Sequence, residues 1–351
     1  MKILYHMPSL FSIYAQRTIY NGFKNAFIDL GHEFYTLTSD DDLATVLKKV
    51  KPHIFITASH FYYRKYINYD ILKKYRDNGL IVFTKIDYFN SPVNRSQLNE
   101  AKGFKNDKKV MELLKRDLLG DIYYHVVEQN DKRMDGFKEE TGRRYVTIPL
   151  AADKTLMKNE FSEKYKSDVS YIGTYLPAKR IFFSKQVFPL RKYYDLKLYG
   201  QDWSIKDRFL GFIQKIGQYF NIPYIRSIQK SKLNLDDERK IYSSAKICIN
   251  IHEDYQKKYG GDCNERTFKI PLCGGFEITD DVSCIRKYFK EGKEIIIAKD
   301  EKDWFEKIDY YIKNPEKRLP IIEAGRKMVL AEHTYHNRVK QIIKIYESFK
   351  K

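Results

Sequence analysis

Short apolar runs alternate with longer amphipathic stretches along most of the chain, and the two periods sort the elements. In the first half, runs at 2–6, 33–37, 53–58, 80–86, 123–127 and 145–148 predict β-strands. Between them, Phe23, Ala26, Phe27 and Leu30 share one face of a helix over 21–30, and Leu43, Val46, Leu47 and Val50 share one over 42–50. Strand, helix and strand in that order make parallel βαβ units. Gly31-His32 and Asn78-Gly79 stand where helices must stop before a strand. The rhythm returns in the second half, with strands at 169–172, 196–199, 247–251, 276–279 and 294–297. Helices fit 178–193, 235–244, 303–312, 315–330 and 336–349. The pattern predicts an α/β protein of two consecutive domains, 1–155 and 156–330, joined through the loop 149–167, with a last helix in 331–351.

One stretch differs. Over 209–220 the apolar positions 209, 210, 212, 213, 216, 219 and 220 form a helical stripe, flanked by Lys206, Arg208, Lys215, Arg226, Lys230 and Lys232. A basic amphipathic helix of this kind can lie on an acidic membrane surface. The commoner arrangement, which we expect here, turns the stripe onto the domain core.

Bulk properties narrow the class. A single core stops growing at roughly 250–300 residues, and this chain has 351, so two domains agree with its length. Hydrophobic residues make up 43% and charged residues 31%, with 29 Tyr and 22 Phe, enough apolar bulk for two cores. No run approaches the ~20 apolar residues of a membrane span, and the first residues are too short and polar for a secretory leader. We therefore expect a cytoplasmic protein. Cys248, Cys263, Cys273 and Cys284 fit no zinc-binding spacing and are expected to be reduced structural thiols. The net charge of +18 favours anionic partners: nucleic acid, acidic lipid or phosphorylated small molecules. The Lys and Arg residues are spread, without the basic-aromatic runs of a nucleic-acid module, so no nucleic-acid partner is expected.

The stretch NERTFKIPLCGGFEITDD, 264–281, concentrates candidate chemistry. A helix over 265–272 carries Glu265, Arg266 and Lys269 in its first turns. Helix N-termini offer free N–H groups and partial positive charge to phosphates. Arg266 and Lys269, three apart, share a face and form a cationic clamp, and Glu265 can accept hydrogen bonds from a sugar or ribose hydroxyl. A surface helix start with solvated charges explains the same residues. A second stretch, SDVSYIGTYLPAKRIFF, ends a strand at Ile172, turns at Gly173-Thr174-Tyr175 and opens a helix carrying Lys179 and Arg180. Ligands of parallel α/β domains sit outside the carboxyl ends of the strands. Two cationic helix starts on that edge suit a pyrophosphate. His252 and Glu253 follow the strand 247–251 onto the same edge.

Several segments in order carry a resemblance: DVSYIGTYLPAKR, LKLYGQDW, ERKIYSSAKICINIHED, NERTFKIPLCGGFEITDD, YFKEGKEIIIAKDEKDWFEKIDYYIKNPEKR and AGRKMVLAEHTYHNRVKQI, together spanning about 168 to 343. They resemble the donor-binding, group 1-like domain of GT-B glycosyltransferases, in particular the CgeB-like, spore maturation protein-like branch. The resemblance implies two facing Rossmann-like domains. The acceptor side lies in the first, a nucleotide-sugar donor in the second, and a final helix crosses back to the first domain. It matches Gly173-Thr174 to the turn that approaches the diphosphate, Arg180 to the following helix start, and Asn264, Arg266 and Phe268 to an N-x-R-x-F segment. Our own reading adds Tyr175, Gly200, His252, Glu253, Glu265, Thr267 and Lys269 to the donor site and expects Arg180, Arg266 and Lys269 to stabilise the leaving diphosphate. The resemblance departs at one point. Related enzymes carry a Glu that binds the donor ribose where this chain has Lys269, and the first Glu of the same E-x7-E pattern is replaced by Gly261.

The expected reaction moves a sugar from a UDP- or GDP-linked donor to a glycan, lipid-linked or protein acceptor without a metal cofactor, on a protein able to touch acidic membrane peripherally. Cations and helix dipoles can stabilise the departing diphosphate. An inverting outcome needs a general base, for which His60, Asp87 and His6 stand near strand ends in the first domain. SDDDL at 39–43 is read as a helix start rather than a metal site, and the two His of HTYH at 333–336 as the opening of a helix. The rival readings are an inactive binding subunit, a sugar-nucleotide epimerase and, last, a nucleic-acid-binding protein.

Overall fold

The structure is a computed structural model that describes residues 1–9, 14–90, 93–94, 100–101, 103–220, 222–226 and 233–350. It divides into two compact units. Unit 1 holds Met1–Ala151 with Tyr259–Asp262 and Tyr335–Lys351, and unit 2 holds Ala152–Lys258 with Cys263–Thr334.

Unit 1 runs β1 (Lys2–His6), α1 (Tyr14–Asp29), β2 (Glu33–Leu37), α2 (Leu43–Val50), β3 (Ile54–Ala58), α3 (Phe61–Arg64), α4 (Tyr69–Arg76) and β4 (Ile81–Lys85). A short antiparallel pair follows, β5 (Val93–Asn94) and β6 (Glu100–Ala101). The unit continues with α5 (Lys108–Lys115), β7 (Ile122–His125), α6 (Phe137–Thr141) and β8 (Tyr145–Thr147). Its main sheet is parallel throughout, in the order β2-β1-β3-β4-β7-β8. Such sheets are buried on both faces. Ile3, Ile54, Ile56 and Phe83 fill one face with Phe23 and Phe27, and Leu4, Phe55 and Val82 fill the other with Leu43, Leu47 and Leu72. The C-terminal helix, Tyr335–Lys350, adds Tyr335, Val339 and Ile342 to the first face. Gly22 lets it approach, because a Cβ there would stand 2.1 Å from the Tyr335 ring.

In unit 2 the elements are β9 (Ser167–Ile172), α7 (Arg180–Phe182), β10 (Leu196–Tyr199), α8 (Ile205–Tyr219), α9 (Pro223–Arg226), α10 (Leu235–Ser244) and β11 (Ala245–Asn250). They continue with α11 (Asp254–Tyr259), α12 (Arg266–Leu272), β12 (Glu277–Asp280), α13 (Ile285–Tyr288), β13 (Ile296–Ala298), α14 (Glu301–Lys313) and α15 (Arg318–Glu332). The sheet is again parallel, in the order β10-β9-β11-β12-β13. The chain starts at β9, steps outward to β10, then crosses back to β11. The order reverses between β9 and β11, the point outside which ligands collect in such sheets.

Two expectations about elements change. The single helix over 178–193 is replaced by a broken series: a 3-10 turn, α7, a π turn over Phe183–Val187 and a second 3-10 turn over Phe188–Lys192. Pro189 has no N–H and its ring crowds the preceding turn, so a regular helix cannot run through. The second change concerns α8. Ile205, Phe209 and Phe212 point into solvent, 78%, 61% and 61% exposed, while Asp207, Gly211 and Gly217 are buried. Within the stripe, Phe209, Phe212 and Phe220 face solvent, and Leu210, Ile213 and Ile216 are half-buried. Lys230 and Lys232 lie outside the described residues.

Candidate functional site

Two glycine turns build the floor of the switch point. β9 ends at Ile172 and the chain turns at Gly173, while β10 ends at Tyr199 and turns at Gly200 with φ of +116°. A Cβ on Gly200 would come 2.4 Å from the Gly173 carbonyl oxygen, and one on Gly173 would come 2.8 Å from the Arg266 guanidinium. Only glycine permits both approaches. Trp203 pins the pair: its Nε1–H donates to the carbonyls of Gly173 (2.9 Å) and Tyr199 (3.1 Å). Its ring stacks on Tyr175, centroids 4.8 Å apart. Thr174 lies half-buried in the same turn.

Cations gather at the strand ends. Arg266 donates from Nε to Asn250 Oδ1 (2.9 Å) and through its two terminal nitrogens to the carbonyls of Ile172 (3.0 Å) and Ile251 (2.7 Å). It thus bridges the ends of β9 and β11. Lys179, buried at the start of the broken helix, donates from Nζ to the same Ile251 carbonyl (3.0 Å). Two cationic nitrogens converge on one oxygen, with the Glu253 carboxylate 3.0 Å from Lys179. Two cations thus stand together at the strand ends, one of them paired with Glu253. Arg180 is exposed instead and lies over the Tyr175 ring, 5.4 Å from its centroid. Asn264 lies just before α12: its Oδ1 accepts from Arg266 N (3.0 Å), and its amide donates to Asn250 Oδ1 (2.9 Å).

Beneath lies a buried polar layer. Asn250 donates to Glu277 Oε1 (2.8 Å) and Thr267 Oγ1 (3.1 Å). His252 pairs through Nδ1 with Asp280 (2.5 Å) and through Nε2 with Thr267 Oγ1 (3.2 Å). Both of its nitrogens are spent inside the protein. His252 therefore supports the site from below, and Thr267 and Phe268, both fully buried, do likewise. Burial works to raise the Asp280 carboxyl, but the charge and hydrogen bonds of His252 outweigh it and hold it below the usual carboxylate value. For Glu277, burial wins and pushes the acid up to about 8, against its Asn250 hydrogen bond and the charge of Arg266. Its Oε2 is buried without a hydrogen-bond partner.

The folded state thus holds a proton on Glu277 that the unfolded chain releases near the ordinary glutamate value. That contribution is complete at acidic pH and is lost as pH rises toward 8. Glu277→Gln keeps the group neutral at every pH. We expect it to be more stable than wild type by on the order of 4 kcal/mol at pH 8, with the gain shrinking toward pH 5. Urea unfolding across that range checks this; a gain independent of pH would contradict it.

The Arg266–Lys269 clamp expected from spacing is not formed. Lys269 is 4% exposed, and its Nζ lies 3.3 Å from Glu265 and 3.5 Å from Glu238 of α10, both buried. Glu265 is engaged in that ion triad rather than open to a hydroxyl. Lys179 takes the place in the site that sequence reasoning gave to Lys269 and Arg180. Asn250, Glu277, Asp280 and Trp203 also escaped notice, as no local motif marks them.

In unit 1, His60 follows β3 and caps α3, its Nδ1 accepting from Tyr62 N at 3.3 Å. Asp87 follows the neighbouring β4, and burial raises its carboxyl above the ordinary value against the charges of His60, Lys85 and Arg64. His6 is buried, its Nδ1 3.0 Å from Thr57 Oγ1, and burial lowers it to about 3. A sealed imidazole held neutral this firmly does not serve as the base. SDDDL starts a helix through Asp42, which accepts from Thr45 N at 2.8 Å. His333 packs among Phe268, Tyr288 and Phe289, and His336 pairs with Asp29 at 2.7 Å. All four cysteines are buried free thiols. Among the described residues, no helix is long and apolar enough to cross a membrane.

Residues 180–344 match the family model described as glycosyl transferase-like. Solved structures match over nearly the whole chain. An α-glucosyltransferase in complex with UDP and a 13-mer DNA is 14% identical with a TM-score of 0.65, covering 99% of both chains. Sucrose-phosphate synthase from Thermosynechococcus elongatus is 11% identical with a TM-score of 0.63, covering 99% of this chain and 98% of the other. Anabaena HepE in complex with UDP and glucose is 12% identical with a TM-score of 0.58, covering 99% and 100%. The chain has the GT-B fold. In this GT-B chain, the glycosyl transferase-like match begins at Arg180 in the broken helix and includes Arg266 and the whole of α12. No curated protein sequence matches the chain.

Proposed function

We propose that the chain is a glycosyltransferase that takes a nucleoside diphosphate sugar at the carboxyl edge of unit 2 and passes the sugar to an acceptor hydroxyl. The convergence of Lys179 and Arg266 on the Ile251 carbonyl, beside the Gly173 and Gly200 turns, carries this reading. The glycines let a diphosphate come close to backbone, and the two cations oppose the charge that builds on it as the bond from the anomeric carbon to phosphate oxygen breaks. The chain's own cations supply this stabilisation without a metal. The acceptor oxygen forms the new bond to that carbon and gives up its proton. In unit 1, Asp87, raised by burial against the charge of His60, is our choice of base for an inverting outcome. A CgeB-like branch and a glycan or lipid-linked acceptor fit the sequence resemblance. The DNA in the α-glucosyltransferase neighbour makes duplex DNA one arm of any acceptor screen.

A second reading, a binding subunit without turnover, draws on Lys269. Where related enzymes have a ribose-binding Glu, this lysine is buried and bound to Glu238 and Glu265.

Thermal unfolding in the presence of UDP, GDP, ADP, dTDP and CMP tests the proposal. One diphosphate at about 100 times its Kd should add about 2.7 kcal/mol, roughly 5–10 °C in the midpoint, with or without EDTA. A shift together with release of free nucleotide from the cognate sugar nucleotide supports the transferase. A shift without release, across all acceptors, supports the binding subunit. No shift with any nucleotide overturns the donor site.

A further inference from the structure

The exposed stripe of α8 has no place in the chemistry above. Ser204 starts the helix, its Oγ accepting from Asp207 N at 3.0 Å. At 3.6 residues per turn, Ile205, Phe209 and Phe212 fall on one line along the cylinder, with the half-buried Ile216 continuing it. The opposite side carries Asp207 and Gly211, which are buried. Lys206 and Arg208, both exposed, project on either side of the line. Beyond the helix end, Phe220, Ile222 and Tyr224 are also exposed, in and before α9. At about 200 Å² per ring, the four exposed aromatic side chains alone present on the order of 500 Å². That is near the upper end of what a monomer shows without using it.

Charge decides what covers this face. From Ser204 to Lys232 the sequence has Lys206, Arg208, Lys215, Arg226, Lys230 and Lys232 against one acid, the buried Asp207. A second copy of the same face would bring the exposed Lys206 and Arg208 onto their own like charges. A nucleic acid would satisfy the charges, but it gains nothing from Ile205 and Ile222, which cannot stack on bases. An acidic phospholipid surface uses both features: the stripe enters the boundary of headgroups and acyl chains, and the flanking cations meet the phosphates. We propose that the α8–α9 hairpin docks this protein on acidic membrane surfaces, lying in the interface plane.

Flotation of the full chain with phosphatidylglycerol-containing vesicles, compared with pure phosphatidylcholine vesicles, tests the proposal. We expect binding to the acidic vesicles, at least tenfold weaker binding to the zwitterionic ones, and a decline with salt. The pair Phe209→Ser and Phe212→Ser should weaken partitioning at least tenfold. The pair Lys206→Gln and Arg208→Gln should weaken binding to acidic vesicles roughly 10–30-fold and leave zwitterionic binding alone. No binding at low salt, or equal binding by the variants, overturns the proposal. A concentration-dependent dimer lost in the Phe variant, without vesicle binding, would assign the face to a second copy. Duplex DNA binding weakened by the Phe variant would assign it to nucleic acid. The nucleotide-induced thermal shift of these variants should equal wild type, so the membrane and donor readings fail separately.

Discussion

Lys269→Met should destabilise the protein by about 3–5 kcal/mol, the cost of breaking a buried ion cluster from one side. The lysine stem reaches between Glu238 on α10 and Glu265 before α12, and all three side chains are buried. Methionine matches the volume and removes the charge. Two carboxylates are then left out of water with their shared cation gone, and they repel each other. Burial alone would lower the lysine's proton affinity, but the two glutamates outweigh it and raise it, the sign expected of a cation held by its partners. Urea unfolding of Lys269→Met measures the loss, and the triple variant that adds Glu238→Gln and Glu265→Gln should recover most of it. A loss below about 1 kcal/mol would mean that the triad contributes little and that Lys269 was placed for another reason. The triple variant also reports on function. If it still shows the nucleotide-induced thermal shift, Lys269 is scaffold; if the shift disappears while the fold is intact, the lysine or its partners belong to the donor pocket.

The fold was legible because its signal is local. Runs such as Ile54–Ala58 and Ile81–Lys85 are apolar on both faces, as buried parallel strands must be. The site was only partly legible because its bonds are long in sequence. Arg266 reaches the carbonyl of Ile172, 94 residues earlier, and Lys179 that of Ile251, 72 residues later. No motif encodes a backbone carbonyl as a partner. Spacing also misled at one place. Arg266 and Lys269 do lie three apart on a helix, but Glu265, four residues before the lysine, and Glu238 from another helix captured it. Neighbours Lys179 and Arg180 exchanged roles because the chain there is a 3-10 turn passing into α7, which turns the first inward and the second outward. For α8, periodicity located the stripe correctly. It carries no information on which way a helix turns its stripe, and here Phe209, Phe212 and Phe220 turn outward.

Arg266→Ala should lower glycosyl transfer by about 10²–10³-fold, the loss typical of removing one preorganised group that meets developing charge. The geometry makes the residue both support and electrostatic element. Its planar fork holds the ends of β9 and β11 at the switch point through Asn250, Ile172 and Ile251, which fixes where the Gly173 turn sits. The alanine variant should therefore also lose stability, by about 1–3 kcal/mol for carbonyls left short of a donor. That cost is moderated at Ile251, where Lys179 still donates. The two effects separate in one experiment. The midpoint without nucleotide reports the support, and the shift on adding the preferred diphosphate reports the anion site. We expect a modestly lowered midpoint and no shift. Arg266→Lys keeps the charge but cannot reproduce three donors in one plane, so it should keep less than about a tenth of wild-type transfer. A folded Arg266→Ala protein with full transfer rate and a full nucleotide shift would show that the diphosphate is held elsewhere. The convergence on Ile251 would then be a strand-end fastening and nothing more.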